Sequence, residues 1–554
     1  MAEGGFTFDG NPIATRPGQS IAAALTEAGI RAFRATAKDA RRGMFCGMGV
    51  CQDCLVTVDG TPNVRACMTT ATEGLRVETQ VAFPSLDAAA ANKAPAPARI
   101  LEPEVMVIGG GAGGLSAAIS ARQAGASVVV LDERKVPGGQ YFKQSADGAA
   151  LDAQQRDGAA LLQSARDSGA DILGGVEVWG AFDGPLILAE QAGAALVLRP
   201  KTLIVATGAY ERPCMVPGWT LPGVMTTGAA QTLWRSYRGL AGKRLAICGT
   251  GPLNLQVAQE LSAGGAKVVM VAEAAPPATH NLWAALHMTL ADPGLARKGL
   301  GMMRALRHSG VPVRYRTRLA EVAESAGQLK ATFRDATGKA SDLTIDALCM
   351  NDGFEPQNEI LRLLGAKMTY DPGFGHLRCT RDDRMETSVS GLYAVGDCAG
   401  LGGAPAAMAE GRIAGRAAAA ALGHGAGSRS SDLRALRRHR RFQRWLWQLY
   451  EPAPHSHADT PDDTILCRCE EIGFGAARAG LTEAPGHMGT LKRATRVGMG
   501  RCQGRYCGPV AARLVASATG APIDDRSYFA PRVPIKPVSI AAILAAQEAL
   551  DGAD

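Results

Sequence analysis

Two short stretches near the start of the chain follow a strand, tight turn, strand pattern. FTFDGNPI and CLVTVDGTPNVRAC each place apolar or β-branched residues on both sides of an Asp-Gly turn. SIAAALTEAGI, which lies between them, has the length and apolar spacing of one helix. The pattern predicts a small β-rich domain over residues 1–85.

A fully apolar strand, Val105 to Ile108, opens the next pattern and runs into a glycine-rich turn, a helix and a second strand. The glycines of the turn are Gly109, Gly111 and Gly114. They permit a tight turn, close approach of the backbone to a pyrophosphate, and packing of helix on sheet. The helix N-terminus offers N–H donors to phosphates. Asp132 stands where a ribose-binding acid is expected, and its neighbour Glu133 is the alternative.

RLAICGTGPLNLQVAQELSAGGAKVVMVAEA repeats this strand, turn, helix, strand order. Gly249 and Gly251 match the first two glycines, but Asn254 stands where the third belongs. Ala272 occupies the usual acid position and Glu273 follows it. A side chain at the third position crowds the helix against the strand, which leaves two alternatives for the function of this unit. The unit either binds an adenine nucleotide (NAD or a mononucleotide) or is an empty relic, and no arginine suits the 2′-phosphate of NADP.

Eight of the thirteen cysteines fall into two groups of four. The first group is Cys46, Cys51, Cys54 and Cys67, in the order C-x4-C-x2-C-x12-C. This spacing is close to that of a plant-type [2Fe–2S] site, and the loop glycines allow backbone N–H groups to bend toward the sulfides. A structural zinc site is the alternative, although zinc sites more often pair two C-x2-C motifs.

The second group is Cys467, Cys469, Cys502 and Cys507, in the order C-x-C-x32-C-x4-C. Together with the words CRCEE and LKRATRVGMGRCQGRYC, it resembles the [2Fe–2S] domain of bacterioferritin-associated ferredoxin. Zinc is again the alternative, because four clustered thiolates also suit it. The other five cysteines are scattered and are predicted to be buried apolar side chains.

Composition narrows the function classes. Hydrophobic residues make up 46% of the chain, charged residues 20%, and the net charge is +7. No basic module indicates nucleic-acid binding, and no apolar run reaches the ~18 residues that span a bilayer. The start has no leader pattern, so we expect a cytoplasmic protein, associated with a membrane only through a complex. In a reducing compartment, clustered cysteines bind metal or serve redox chemistry.

Two further stretches resemble the two-dinucleotide flavoproteins. TLIVATGAYERP (202–213) resembles their Ala-Thr-Gly turn, and GLYAVGDCAG (391–400) resembles their C-terminal FAD strand. The resemblance implies FAD at the first unit. The residues it adds to the site are Gly139, Gln140, Thr207, Gly208, Gly396 and Asp397, with Asp397 on the ribityl chain. The paired cysteines of the disulfide reductases are missing.

These patterns divide the chain and give its fold class. The predicted divisions are 1–85, a ferredoxin-like domain; 86–103, an Ala/Pro-rich linker; 104–240 and 346–425, two parts of an FAD domain; 241–345, the inserted second dinucleotide unit; 426–460, a helical linker; 461–520, a bacterioferritin-associated-ferredoxin-like domain; and 521–554, an extended tail. The fold class is α/β, a Rossmann-like flavoprotein with a [2Fe–2S] domain at each end. In the insert, 280–310 is predicted to be helical, with Trp283 in the core or a subunit contact.

This order of domains resembles a fusion of the electron-transfer subunits of the hydrogen cyanide synthase, opine oxidase and D-hydroxyproline dehydrogenase group. The α subunits of heteromeric sarcosine oxidase are related, and we expect them to share the ferredoxin-like and FAD parts only. The resemblance implies FAD, two [2Fe–2S] clusters, an external electron acceptor, and a partner β subunit of the D-amino-acid-oxidase type that oxidises an amine or imino acid. No catalytic acid, base or nucleophile is assigned. The rival hypotheses are an NADH-dependent flavin/iron–sulfur reductase and a non-enzymatic iron-handling protein.

Overall fold

The computed structural model describes residues 4–85, 96–425, 427–451, 457–483 and 486–551. The first ten residues of the predicted linker, 86–95, lie outside this part of the chain. Its remaining residues are described and include a short strand. No helix in the described ranges combines the length and apolarity that crossing a bilayer requires.

The N-terminal domain is a five-stranded sheet with one helix packed on it. Its elements are β1 (Gly5–Phe8), β2 (Asn11–Ala14), α1 (Ile21–Glu27), β3 (Arg34–Ala35), β4 (Arg41–Arg42), β5 (Leu55–Val58), β6 (Thr61–Arg65) and β7 (Arg76–Thr79). The strand order is β2-β1-β7-β5-β6, and both predicted hairpins are present. Ser20 caps α1, since its side chain accepts from the backbone N–H of Ala23.

The first dinucleotide unit is a parallel sheet with a three-stranded meander attached. Its elements up to residue 211 are β8 (Arg99–Leu101), β9 (Val105–Ile108), α2 (Ala112–Gln123), β10 (Val128–Asp132), α3 (Ala153–Asp167), β11 (Asp171–Gly174), β12 (Val176–Phe182), β13 (Leu186–Gln191), β14 (Ala194–Leu198), β15 (Thr202–Val205) and β16 (Ala209–Glu211). The parallel sheet has the order β11-β10-β9-β15, and the strand Leu392–Ala394 completes it at the edge.

The second unit is a second parallel sheet with its own meander. Its elements are β17 (Val224–Thr226), α4 (Thr227–Tyr237), β18 (Arg244–Thr250), α5 (Pro252–Ala263), β19 (Lys267–Glu273), α6 (Leu282–Ala291), α7 (Pro293–His308), β20 (Val313–Tyr315), β21 (Arg318–Ser325), β22 (Gln328–Arg334), β23 (Ala340–Ile345) and β24 (Ala347–Asp352). The sheet order is β17-β24-β18-β19-β20.

Two predictions for this unit need correction. The boundaries 241 and 345 are too narrow, because β17 and β24 both belong to its sheet and β24 lies between β17 and β18. Trp283 is helical as predicted, but its side chain is 65% exposed, so the core alternative is wrong and the subunit contact stays a prediction.

The chain then returns to the first unit and continues into a long helix. The elements are β25 (Phe354–Pro356), α8 (Glu359–Leu363), β26 (Met368–Asp371), β27 (His376–Cys379), β28 (Leu392–Ala394), α9 (Gly403–Ala421) and α10 (Ser430–Leu449). Helix α9 packs closely against α2, and the contact requires glycine. A Cβ atom on Gly411 would lie 2.1 Å from the carbonyl oxygen of Gly113.

The C-terminal part is a small hairpin with four helices. Its elements are β29 (Ile465–Cys467), β30 (Ile472–Gly473), α11 (Phe474–Glu483), α12 (Met488–Thr495), α13 (Gly508–Thr519) and α14 (Ile540–Asp551). The prediction of an extended tail over 521–554 is wrong where α14 forms. This helix buries Ala542, Ala545 and Ala546 against the meander of the first unit, and their i, i+3, i+4 spacing explains the helix.

One hydrophobic cluster connects the domains. It includes Cys46 and Cys51 of the N-terminal domain and Cys467, Cys502 and Cys507 of the C-terminal part. The same cluster contains apolar residues from the sheets of both dinucleotide units. The fold therefore brings members of both cysteine groups to the same core, although more than 400 residues of chain separate Cys46 from Cys467. The other two cysteines of the first group, Cys54 and Cys67, lie in a neighbouring cluster.

Candidate functional site

The first glycine turn has the geometry of a phosphate-binding loop. Gly109 has φ +108°, and a Cβ atom there would lie 2.3 Å from the carbonyl oxygen of Ala206. On Gly114, a Cβ atom would lie 1.8 Å from the carbonyl oxygen of Gly109. Only glycine fits both positions, and helix α2 starts with its free N–H groups at the turn.

The two candidate acids after β10 have different environments. Asp132 Oδ2 accepts from the N–H of Gly110 at 2.7 Å, and burial raises the pKa of its carboxyl group. The Glu133 carboxylate contacts Arg65 Nη1 at 2.9 Å and Lys536 Nζ at 2.6 Å. Although burial opposes the shift, these two cations lower the pKa of Glu133 to about 2. Asp132 supports the glycine loop, whereas Glu133 connects three parts of the chain.

A cavity lies beside this loop. Its volume of about 1070 Å³ is large enough for a dinucleotide. Ten of the predicted cofactor residues line it: Gly109, Gly111, Asp132, Glu133, Gly139, Gln140, Thr207, Gly208, Gly396 and Asp397. Gly114 does not line it and acts in helix packing. The structure thus brings residues from four separate stretches of sequence to one cavity.

Asp397 lies where β28 leads into α9. Its carboxylate accepts from the N–H groups of Gly402 and Gly403, each at 2.9 Å. Burial raises the pKa of Asp397 despite these bonds. The carboxylate therefore covers the start of α9 and lines the cavity.

The sequence did not reveal two ionisable residues of the cavity wall. Lys143 is buried, and its Nζ donates to Gln231 Oε1 at 2.8 Å and to the carbonyl of Gly228 at 3.2 Å. Burial lowers the pKa of Lys143 to about 7. Both carboxylate oxygens of Glu211 accept from the N–H of Gly228, and burial raises the pKa of Glu211 to about 7. No spacing rule singles out either residue.

The second glycine turn repeats part of the first. Gly251 N–H donates to Glu273 Oε2 at 3.1 Å, so Glu273, and not Ala272, takes the acid position. The Asn254 amide donates to the carbonyl of Asn351 and accepts from Thr227, so the fold accommodates the side chain. Gly249, Gly251 and Glu273 do not line the cavity, although Pro252 and Leu253 do. The ring of Trp447 packs over Gly251.

The first cysteine quartet is buried and arranged as two pairs. The thiols of Cys46 and Cys51 are neighbours, and so are those of Cys54 and Cys67. Although burial opposes the shift, the Cys51 thiol and nearby backbone N–H groups lower the pKa of Cys46 to about 6. Gly47 and Gly49 have φ +60° and +77°, which lets the loop fold around the sulfurs.

The second quartet is also arranged as two pairs, Cys467 with Cys507 and Cys469 with Cys502. The Cys507 thiol and backbone N–H groups lower the pKa of Cys467 to about 7. A Cβ atom on Gly500 would lie 2.2 Å from Cys469 Cβ, so this loop also depends on glycine.

The pairing of the thiols indicates which kind of metal site the cysteines could form. Within the ranges that the structure describes, no three His, Cys, Asp or Glu side chains are placed to hold a single metal ion. A mononuclear zinc site would need all four thiolates at one point. At the first quartet, two neighbouring pairs of thiols suit a dinuclear cluster, in which each iron takes two cysteines.

Three family models match the chain. One described as pyridine nucleotide-disulphide oxidoreductase matches residues 103–411, and one described as 2Fe-2S iron-sulfur cluster binding domain matches residues 4–82. The third, sarcosine oxidase A3 domain, matches residues 475–547.

The A subunit of opine oxidase from Rhizobium meliloti is 33% identical over 460 residues, which cover 79% of this chain and 98% of that protein. The chain belongs to the opine oxidase A-subunit family. Hydrogen cyanide synthase subunit HcnB of Pseudomonas aeruginosa is 29% identical over 79% of this chain and 97% of its own. The alpha subunit of sarcosine oxidase from Rhizobium meliloti is 26% identical over 98% of this chain and 57% of its own.

The family models and these relatives confirm that the chain is a flavin oxidoreductase with an N-terminal [2Fe–2S] domain.

The crystal structure of L-proline dehydrogenase from P. horikoshii has the same fold, with a TM-score of 0.72, 19% identity, and coverage of 98% of this chain and 97% of that one. The expectation that likeness to sarcosine oxidase ends before the C-terminal part is wrong, because the A3 domain match covers residues 475–547. The named family members are subunits, which implies partner subunits for this family.

Proposed function

We propose that this chain is the FAD- and iron–sulfur-containing subunit of a heteromeric amine or imino-acid dehydrogenase. The substrate would bind a separate β subunit of the D-amino-acid-oxidase type, and an external acceptor would receive the electrons. The similarity to opine oxidase, hydrogen cyanide synthase and sarcosine oxidase subunits supports this assignment.

One observation carries the proposal: both cysteine loops reach the FAD cavity. Met48 lies between Cys46 and Cys51, Met68 follows Cys67, and both methionines line the cavity. Arg505, two residues before Cys507, lines it from the C-terminal part. When bound, FAD supplies two-electron chemistry and iron–sulfur clusters supply one-electron chemistry, so adjacent sites suit an electron relay.

The residues of this chain bind and orient the flavin nucleotide. Gly109 and Gly111 would admit the pyrophosphate to the start of α2, and Asp132 would accept from the ribose. Lys143 and Glu211, with pKa values of about 7, each hold or release a proton at the cavity wall near neutral pH.

We also assign a second [2Fe–2S] cluster to Cys467, Cys469, Cys502 and Cys507. Two buried donors close to this quartet, one of them close to the first quartet as well, fit that group. Arg468 Nη1 and the Tyr506 hydroxyl have no hydrogen-bond partner among the described residues. Buried donors normally have a partner, and cluster sulfides are acceptors that would supply one.

The decisive experiment is anaerobic co-expression with a candidate β subunit, followed by a screen of opines, proline derivatives and N-methyl amino acids. We expect the flavin of this chain to bleach on addition of substrate only when the β subunit is present. Bleaching by an amine in the isolated chain would contradict the proposal, and so would a purified complex that no amine reduces.

A second candidate is an NADH-dependent flavin/iron–sulfur reductase. The hydrogen bond from Gly251 to Glu273 favours this candidate. The same kind of bond joins Gly110 to Asp132 in the first glycine turn. The ring of Trp447 over Gly251 counts against it. Anaerobic NADH discriminates: prompt bleaching of the flavin in the isolated chain supports this candidate. If NADH binds but the flavin does not bleach, the second unit is an adenine-nucleotide site and the chain is not an NADH-dependent reductase.

A further inference from the structure

A buried ion pair joins the two cysteine loops. Arg468 lies between Cys467 and Cys469, and Asp53 lies between Cys51 and Cys54. Arg468 Nε donates to Asp53 Oδ2 at 2.6 Å, and both side chains are 4% exposed. The shortest covalent path between these residues runs through more than 400 residues, so the contact is purely tertiary.

Aromatic side chains enclose this pair. The Arg468 guanidinium lies 3.9 Å from the ring centroid of Phe45 and 4.8 Å from that of Trp219. Such stacking orients a planar guanidinium as well as binding it. Phe45 directly precedes Cys46, so Arg468 contacts the first loop at both of its ends.

Tyr506 makes a second contact between the two loops. It directly precedes Cys507, and its ring centroid lies 5.3 Å from that of Phe45. The thiols of Cys46, Cys51 and Cys502 all interact electrostatically with its hydroxyl group. A single side chain is therefore an electrostatic neighbour of both quartets.

The rim of the contact is also polar and buried. Glu471, two residues after Cys469, accepts from Thr36 at 2.8 Å and from Arg42 at 3.2 Å. Arg34 donates to Asp53 Oδ1 at 2.7 Å. The second loop is thus held against the first by charges that are paired on both sides.

We propose that Arg468 is a positioning residue that fixes the second cysteine loop against the first. The two quartets then hold their clusters as one magnetically coupled pair. This inference rests on the proposed function, since it requires the second cluster.

The first measurement uses the wild-type holoprotein. Iron and sulfide analysis should give two irons for each quartet, and electron paramagnetic resonance of the fully reduced protein should show spin–spin broadening or splitting. The references are Cys46→Ser and Cys502→Ser, each of which keeps one cluster and should show its isolated signal.

The second measurement tests Arg468 itself. Arg468→Gln should return the spectrum toward the sum of the two isolated signals, and Arg468→Lys, which keeps the charge, should restore part of the interaction. Arg478→Gln is the matched control. Arg478 lies in the same domain, pairs with Asp462 and stacks on Phe474, and its other hydrogen bonds go to backbone carbonyls of residues 457–460 instead of to either cysteine loop.

The outcomes distinguish the second cluster, the coupled pair and the role of Arg468. Iron at the first quartet alone would overturn the second cluster and, with it, the proposed cofactor set. Two clusters without spin interaction in the wild type would overturn the coupled pair while leaving the proposed function intact. Full interaction in a folded, two-cluster Arg468→Gln protein would overturn the role of Arg468.

Discussion

Asp132 and Glu273 hold equivalent positions in the two dinucleotide units. Each is the last residue of the second strand of its unit, and each accepts from a backbone N–H of its glycine turn, at 2.7 Å and 3.1 Å. The equivalence identifies the acid of the second unit as Glu273. Glu133, the neighbour of Asp132, instead pairs with Arg65 and Lys536 from other parts of the chain.

Glu273 should make the stability of the protein depend on pH. Burial raises its pKa to about 7, from an ordinary 4.5. Between these values the folded protein binds more protons than the unfolded chain, so stability is lost as pH rises through about 7. The loss amounts to roughly 3 kcal/mol.

Glu273→Gln should remove this dependence, because the amide does not ionise. Its single oxygen can accept from Gly251 or from Ala275 but not from both, and this loss is the same at every pH. The melting temperature of the variant minus that of the wild type should therefore increase from pH 5 to pH 8. Glu324→Gln, at an exposed pair with Arg41, is the control and should follow the wild type. Parallel wild-type and Glu273→Gln profiles would refute the assignment.

Gly114→Ala should abolish flavin binding, because the added Cβ atom meets the carbonyl oxygen of Gly109 at 1.8 Å. Gly301→Ala is the matched control: this glycine also lies in a helix, but open space surrounds its Cβ position. It should be neutral or stabilise the protein by about 1 kcal/mol. Flavin absorbance of the purified proteins is the measurement, and a flavin-replete Gly114→Ala protein would contradict the loop geometry.

Lys536→Met should speed the release of FAD. It leaves the half-buried Glu133 carboxylate with Arg65 as its remaining charged partner beside the cavity, which should lower the stability of this site by about 1–3 kcal/mol. Lys330→Met, which breaks an exposed ion pair with Asp342 (Nζ–Oδ2 2.8 Å), is the control and should leave the rate of FAD release unchanged. Flavin fluorescence after dilution reports release. Equal release rates in both variants would argue against a role for the C-terminal segment at the cavity.

Cys46→Ser and Cys502→Ser should each remove one cluster, halving the iron content. Cys349→Ala is the control, since this buried cysteine lies in the β24 strand, outside both quartets. Its iron content should equal that of the wild type. Unchanged iron in either serine variant would mean that the corresponding quartet holds no cluster, and zinc at both quartets would end the iron–sulfur assignment.

Local patterns predicted the glycine turns, the hairpins and both cysteine groups. The turns and hairpins depend on residues close in sequence, such as the apolar strand that enters Gly109, whereas 32 residues separate Cys469 from Cys502 in the second cysteine group. The sequence could not choose between Asp132 and Glu133, because the choice depends on Arg65 and Lys536, which arrive from distant domains.

Other features depend on non-local pairing. The boundary of the second unit was missed because β24 inserts between β17 and β18, a register that no local pattern encodes. The Arg468–Asp53 contact was missed for the same reason. Helix α14 is a different case, because its alanine spacing is a local pattern that indicates a helix. The prolines before it led to the prediction of an extended tail instead.

The edge position of β28 has a consequence for biosynthesis. This strand, Leu392–Ala394, completes the sheet of the first unit after an excursion of nearly two hundred residues from β15. A ribosome delivers the chain from its N-terminus, so the glycine turn emerges long before Asp397 and α9. We therefore expect nascent chains to acquire flavin only late in translation, after the second sheet has already closed.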